Sequence, residues 1–125
     1  MAAPNLISIS FQNQTDIAID THQVELHLER ILRRLNQTVR LNTEVIFVGD
    51  KKIAELNGQY RQVNAPTDVL SFETPAAERG TLLGSVVVSL ETAQKQAQEA
   101  GIALLDEVKT LTGHGLLHLL GYHHR

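Results

Sequence analysis

Apolar and polar residues alternate near the start of the chain, with Ile7, Ile9 and Phe11 on one side and Ser8 and Ser10 on the other, which predicts a half-buried strand over residues 5–11. The period then changes. From about Asp20 to Val39 the apolar positions are 24, 28, 31, 32, 35 and 39, the three-and-four spacing of an amphipathic helix. Arg30, Arg33 and Arg34 gather on its other face and read as a solvated surface. The run Glu44–Gly49 (EVIFVG) suits a buried strand, and Asp50 is placed to cap a helix through Ile53, Leu56 and Tyr60, with Arg61 at its fraying end. Pro66 biases Ala65 toward extended backbone, Val69–Glu73 predicts a third strand closed by Pro75, and residues 75–81 form a loop. Leu83–Ser89 is a fourth strand, in which Gly84 marks a bulge or a close backbone approach. Ser89 can cap a helix to Ala100 that ends at Gly101, and a last helix runs from about Leu104 to Leu120 and stops at Gly121.

This order mixes βαβ-like and hairpin-like connections, which predicts an α+β fold: a small mixed sheet of about four strands with packed helices. No linker or repeat divides the pattern, so residues 1–125 are expected to form a single domain. A chain of 125 residues, 42% hydrophobic, can hold such a fold by its core alone. With no cysteine, disulfides, thiolate metal sites and thiol nucleophiles are excluded. The apolar runs fall far short of the ~20 residues that cross a bilayer, and Met1 to Asn5 lack the features of a signal peptide, so the expectation is a cytoplasmic protein without a membrane partner.

Charge modifies that picture only locally. The net charge is -3, which gives no general attraction to nucleic acid, yet seven of the eleven basic residues lie between Arg30 and Arg61 against three of the fourteen acidic ones. That zone is able to hold phosphates.

Histidine points to chemistry. Four of the six histidines fall in the last twelve residues, in the segment His114-Gly-Leu-Leu-His118-Leu-Leu-Gly121-Tyr-His123-His124. Residues four apart on a helix lie one turn apart on one face, so His114 and His118 can reach a single ion. Gly121 permits a sharp turn that returns His124 as a third nitrogen ligand, with His123 read as its neighbour rather than a ligand. Three imidazoles leave one position open on a divalent transition metal, zinc first and nickel or copper also suited, which is the pattern of a catalytic site on the C-terminal helix. Bound zinc brings the pKa of its water to about 7.

The same histidine spacing occurs in metzincin zinc peptidases. Their water-activating glutamate would follow the first histidine, and here that position is Gly115, which offers no base. Phosphodiester cleavage makes a smaller demand, because the nucleophile can be a metal-activated water or a ribose 2′-hydroxyl while a cation stabilises the phosphorane charge.

Leu56-Asn57 with Tyr60-Arg61, the block Thr67-Asp68-Val69-Leu70-Ser71-Phe72, Leu83-Gly84 and the histidine segment together resemble the YbeY endoribonucleases, over about residues 45–124. The resemblance implies a metal-dependent endoribonuclease specific for single-stranded RNA, with ribosomal RNA as substrate and the ribosome or its small-subunit proteins as partners. It also implies His114, His118 and His124 as metal ligands and Arg61 as the functional arginine facing the site, where a guanidinium suits phosphate oxygens. The chain departs from the family pattern at Ser85 and His123, each standing where an aspartate is usual, and it stops at Arg125 where the family continues. These departures favour, as the second reading, a catalytically weak RNA- or ribosome-binding relative. By chemistry alone Asp68 reads as a turn or strand-entry residue before a site residue, Asn57 and Tyr60 as packing or capping residues, and Glu107 as a surface carboxylate before a group supporting a metal ligand.

Overall fold

A computed structural model describes residues 7–35, 41–75 and 82–122. Outside them lie the first two residues of the expected first strand, Val39 at the end of the first helix, most of the expected 75–81 loop, and His123, His124 and Arg125. The chain runs β1 (Ile7–Asn13), α1 (Thr21–Arg34), β2 (Leu41–Val48), α2 (Asp50–Arg61), β3 (Val69–Glu73), β4 (Leu82–Ser89), α3 (Leu90–Ala100) and α4 (Leu104–Leu119). The strands form one sheet in the order β1-β2-β4-β3. β1, β2 and β4 are parallel, and the edge strand β3 is antiparallel to β4. The expected α+β class with a four-stranded mixed sheet is the one observed.

The sheet separates two apolar layers. Val45, Phe47, Val86 and Val88 point into the larger one, where Val24 and Leu28 of α1, Leu90 and Ala93 of α3 and Val108, Leu111, Leu116 and Leu119 of α4 close the core. Val48, Leu70 and Val87 point the other way and meet Ile53 of α2. Helices therefore flank the sheet on both faces, and each residue such as Leu116, fully buried, contributes about 1.5–3 kcal/mol by leaving water. Strand periodicity of two would send Leu83 and Val86 to opposite faces, yet both lie in the larger core. A register skip resolves this: Asn42 pairs with Leu82 and Thr43 with Gly84, so Leu83 is the extra residue of a bulge. Gly84 is the close approach that the sequence suggested, since a Cβ there would run into the carbonyl oxygen of Phe72 and lie 2.8 Å from Leu119 Cδ2.

Several boundaries differ from the sequence expectation. β1 runs to Asn13 because its partner β2 continues pairing through Asn13 opposite Phe47. β2 starts at Leu41, since Asn42 and Thr43 are held as strand by neighbours on both sides despite their polarity. α1 ends at Arg34, capped by Leu35. Asp50 does not cap α2. Gly49 occupies that position, and Asp50 is the first helical residue. The Asp50 N–H donates instead to Glu91 Oε1 at 2.8 Å, while the Asp50 carboxylate accepts from Ser89 Oγ and Thr92 Oγ1, both at 2.5 Å. Ser89 caps α3 as expected, taking the Thr92 N–H at 3.2 Å. The first turns of α2 and α3 thus cap one another, a tertiary arrangement that leaves little room at Gly49, where a Cβ would lie 2.6 Å from Glu91 Oε1.

Candidate active site

The buried stripe of α4 is Val108, Leu111, Thr112, Gly113, Gly115, Leu116 and Leu119. His114 and His118 stand next to this stripe, share one helix face and are exposed. They border an open cleft of about 960 Å³ whose other walls include Lys52, Leu56, Tyr60 and Arg61 of α2 and Ser85 and Val87 of β4. α2 and α4 pack on opposite faces of the sheet, and the cleft they share is also lined by Ile46 and Val48 of β2. The edge strand β3 touches both helices, through Phe72 on Tyr60 and Ser71 on Gly115, and its Val69, Ser71, Phe72 and Glu73 line the cleft. The sequence-expected Arg61, His114 and His118 are therefore brought to one place by two helices far apart in the chain, α2 and α4.

Gly115 sets how closely α4 approaches the sheet. A Cβ at this position would lie 2.5 Å from Val86 Cγ1 and 3.2 Å from Ser71 Oγ, so any side chain would force Val86 or the helix to shift. Its carbonyl accepts from Ser71 Oγ at 3.1 Å. The residue that a metzincin would use as its base is here a packing surface, a stronger objection to peptidase chemistry than the missing carboxylate alone.

The helix ends as the sequence expects. The Gly121 N–H donates to the His118 carbonyl at 3.0 Å, the Tyr122 N–H donates to the Leu117 carbonyl at 2.9 Å, and Gly121 has φ 95°, together a Schellman motif. The chain leaves the helix axis there, and Tyr122 lines the cleft. Among the described residues no cluster of three metal-ligating side chains is present; His124 lies outside them.

Arg61 is the last residue of α2 and is exposed. Its position depends on Asn57, which is buried and donates from Nδ2 to the Ala65 carbonyl at 2.9 Å while its own carbonyl takes the Val63 N–H at 3.3 Å. Gln62 turns the chain in the left-handed region, φ 59°, so the segment after Arg61 folds back along α2. Gly58 makes room for it, since a Cβ there would collide with Asn64 Oδ1. Asn57 is thus a loop clamp, in line with the capping role weighed for it. Asp68 belongs to the fold rather than the cleft: its Oδ1 accepts the Val69 N–H at 2.8 Å, and its Oδ2 accepts from Gln96 Nε2 at 3.4 Å. Glu107 is half-buried in the first turn of α4, seven residues from His114, and is not among the residues that line the cleft.

Sequence reasoning missed several cleft residues. Lys52 carried no signal beyond its charge, although its spacing of four and eight from Leu56 and Tyr60 marks one helix face. Tyr60 is 62% exposed and meets the Phe72 ring edge-on, centroids 5.1 Å apart at 63°. Ser85 lies on the cleft wall, and its Oγ donates to Glu44 Oε2 of the paired strand at 3.3 Å, so a carboxylate stands beside the position where the related pattern has an aspartate. No sequence pattern announces that pairing. No helix among the described residues is long and apolar enough to cross a membrane.

Comparison with known proteins agrees with this architecture. The chain is 42% identical over 120 residues to the endoribonuclease YbeY of Nautilia profundicola, covering 93% of this chain and 78% of that protein. It is 36% identical to the endoribonuclease YbeY of Treponema denticola, covering 96% and 81% respectively. A solution structure from Thermotoga maritima superposes with a TM-score of 0.63 at 26% identity, over 94% of this chain and 75% of the other. The family model for endoribonuclease YbeY matches residues 8–125, and with these relatives it establishes that the chain belongs to the endoribonuclease YbeY family.

Proposed function

We propose that this chain is a metal-dependent endoribonuclease that cuts single-stranded RNA, with ribosomal RNA as its substrate and the cytoplasm and ribosome as its setting. The observation that carries the reading is the shared cleft: two imidazoles one helical turn apart on α4 face the same open space as an exposed guanidinium at the end of α2.

His114, His118 and His124 would hold one divalent transition metal, zinc before nickel or copper. The donor chemistry fits, since His114 and His118 border one cleft and Tyr122, two residues before His124, borders it too. Such an ion, when bound, supplies Lewis acidity toward phosphoryl oxygens and acidifies water. The protein's own groups do the rest. Arg61 binds a phosphate through its planar fork and stabilises negative charge as the phosphorus centre is attacked. Asn57 and the fold-back at Gln62 fix where that guanidinium starts from. Gly115 and Ser71 hold α4 at the depth that brings its histidines to the cleft.

The test is cleavage of a labelled single-stranded RNA by purified protein whose metal content has been measured. The reading expects about one equivalent of metal, cleavage of the RNA but not of its duplex, and loss of both metal and cleavage in His114→Ala. Arg61→Lys keeps the charge and loses the fork, so cleavage should fall more than RNA affinity. Binding without cleavage, unchanged by His114→Ala, would replace the enzyme by an RNA-binding relative.

A further inference from the structure

The α2 wall of the cleft carries more than Arg61. Lys52, Leu56 and Tyr60 all border the cleft, and their spacing aligns them in one row along the helix. Leu56 packs into the smaller apolar layer, but the two ends of the row are open: Lys52 is exposed and Tyr60 is 62% exposed. The Tyr60 ring is nevertheless held, because Phe72 meets it edge-on at 5.1 Å. A ring that is oriented by a neighbour and left open to solvent adds little to the core. It is a preformed surface for a planar ligand, and it costs little rotamer entropy to use. The unpaired bases of single-stranded RNA are planar ligands of this kind.

Lys52 completes the argument by its distance. It stands eight residues before Tyr60 and nine before Arg61, about 12 and 13.5 Å along the helix axis. Cations whose backbones stand so far apart suit two phosphates of one strand better than a single one, with the aromatic ring beside the second. The net charge of -3 supplies no general pull toward RNA, so affinity must come from such local contacts.

We propose that Lys52 and Tyr60 form a substrate-positioning track: Tyr60 stacks an unpaired base next to the phosphate held at Arg61, and Lys52 binds a second phosphate farther along the same strand. The proposal rests on the endoribonuclease reading and adds to it a physical reason for single-strand selectivity. A base inside a duplex is already stacked on both faces and offers Tyr60 nothing.

The experiment is fluorescence anisotropy of the full chain with a labelled single-stranded oligoribonucleotide, its duplex, and the same oligonucleotide carrying abasic sites, over a series of salt concentrations. Tyr60→Leu should weaken single-strand binding about five- to 150-fold, the effect of losing one base–aromatic stack, while Tyr60→Phe should keep it. Abasic sites should weaken binding by the wild-type chain to a similar extent and abolish its advantage over Tyr60→Leu. Lys52→Gln should reduce the slope of log affinity against log salt by about 0.7, the release of counterions from one phosphate. Unchanged affinity in Tyr60→Leu, equal wild-type affinity for intact and abasic strands, or an unchanged slope in Lys52→Gln would overturn the track. The abasic comparison on the wild-type chain decides the stacking even if a variant fails to fold. A wild-type chain that neither binds nor cuts single-stranded RNA would instead remove the endoribonuclease reading itself.

Discussion

The Ser71 hydroxyl donates to the backbone carbonyl of Gly115 at 3.1 Å, tying the edge strand β3 to α4 between His114 and His118. The bond joins two faces of the cleft through a glycine that has no room for a side chain. Gly115→Ala should therefore destabilise the fold by about 1–3 kcal/mol despite alanine's better helix propensity, since Val86 would have to yield. On the proposed metal site it should also lower zinc affinity, because a shift of the helix would carry both histidines with it. Urea unfolding and a metal-binding titration on the same variant check the two effects. A variant of wild-type stability would show that Val86 can move aside.

The mutual capping of α2 and α3 should be visible in acid. Burial by itself would raise the Asp50 carboxyl, but hydrogen bonds from Ser89 and Thr92, with the Lys95 ammonium nearby, together bring it below its ordinary value of 3.8. The folded state thus favours the charged form. This stabilisation is complete above pH 3.8 and is lost as the pH falls through the lower folded value. Asp50→Asn should cost about 1 kcal/mol at neutral pH, and its deficit should shrink as the pH is taken below the folded titration point. Chemical denaturation at several pH values measures both.

His27 should make stability depend on pH in a higher range. It faces α4, where a Cβ at Gly113 would lie 3.3 Å from its Nε2. Burial chiefly, and then Lys109, Arg30 and Arg34, hold its pKa below the ordinary 6.5. Protonation is thus harder in the folded state than in the unfolded one. Its effect is absent well above pH 6.5, and stability declines as the pH falls from there to the folded value, then levels off. His27→Gln should flatten that part of the stability profile, which denaturant midpoints across the range would show.

Placing an aspartate at position 85 should destabilise this chain by itself. Ser85 donates to Glu44 at 3.3 Å across paired strands, so Ser85→Asp would set two carboxylates side by side. The expected cost is about 0.2–1 kcal/mol. Adding Glu44→Ser should recover it, and a double-mutant cycle measures the coupling between the two positions. Zero coupling would show that Glu44 turns away to solvent once the serine is gone.

Local chemistry already determined much of this protein. Alternation, short apolar runs, three-and-four spacing and the capping and turn residues between them located all eight elements, because these are properties of short segments. Gly101 and Gly121 marked helix ends, because positive φ is cheapest there for glycine. The spacing of His114 and His118 declared a shared face, since four residues make about one helical turn. What sequence did not determine depends on partners far along the chain. Asp50 looked like the cap of its own helix and instead joins the start of another, because Ser89 and Thr92 reach it only after β4 has crossed back beside β2. Leu83 sits in the larger core only because a bulge opposite Asn42 and Thr43 resets strand parity. Lys52 and Tyr60 share the cleft with the histidines because α2 and α4 both contact the edge strand β3, through Tyr60 on Phe72 and Gly115 on Ser71, and only the order of strands in the sheet decides which strand lies at an edge.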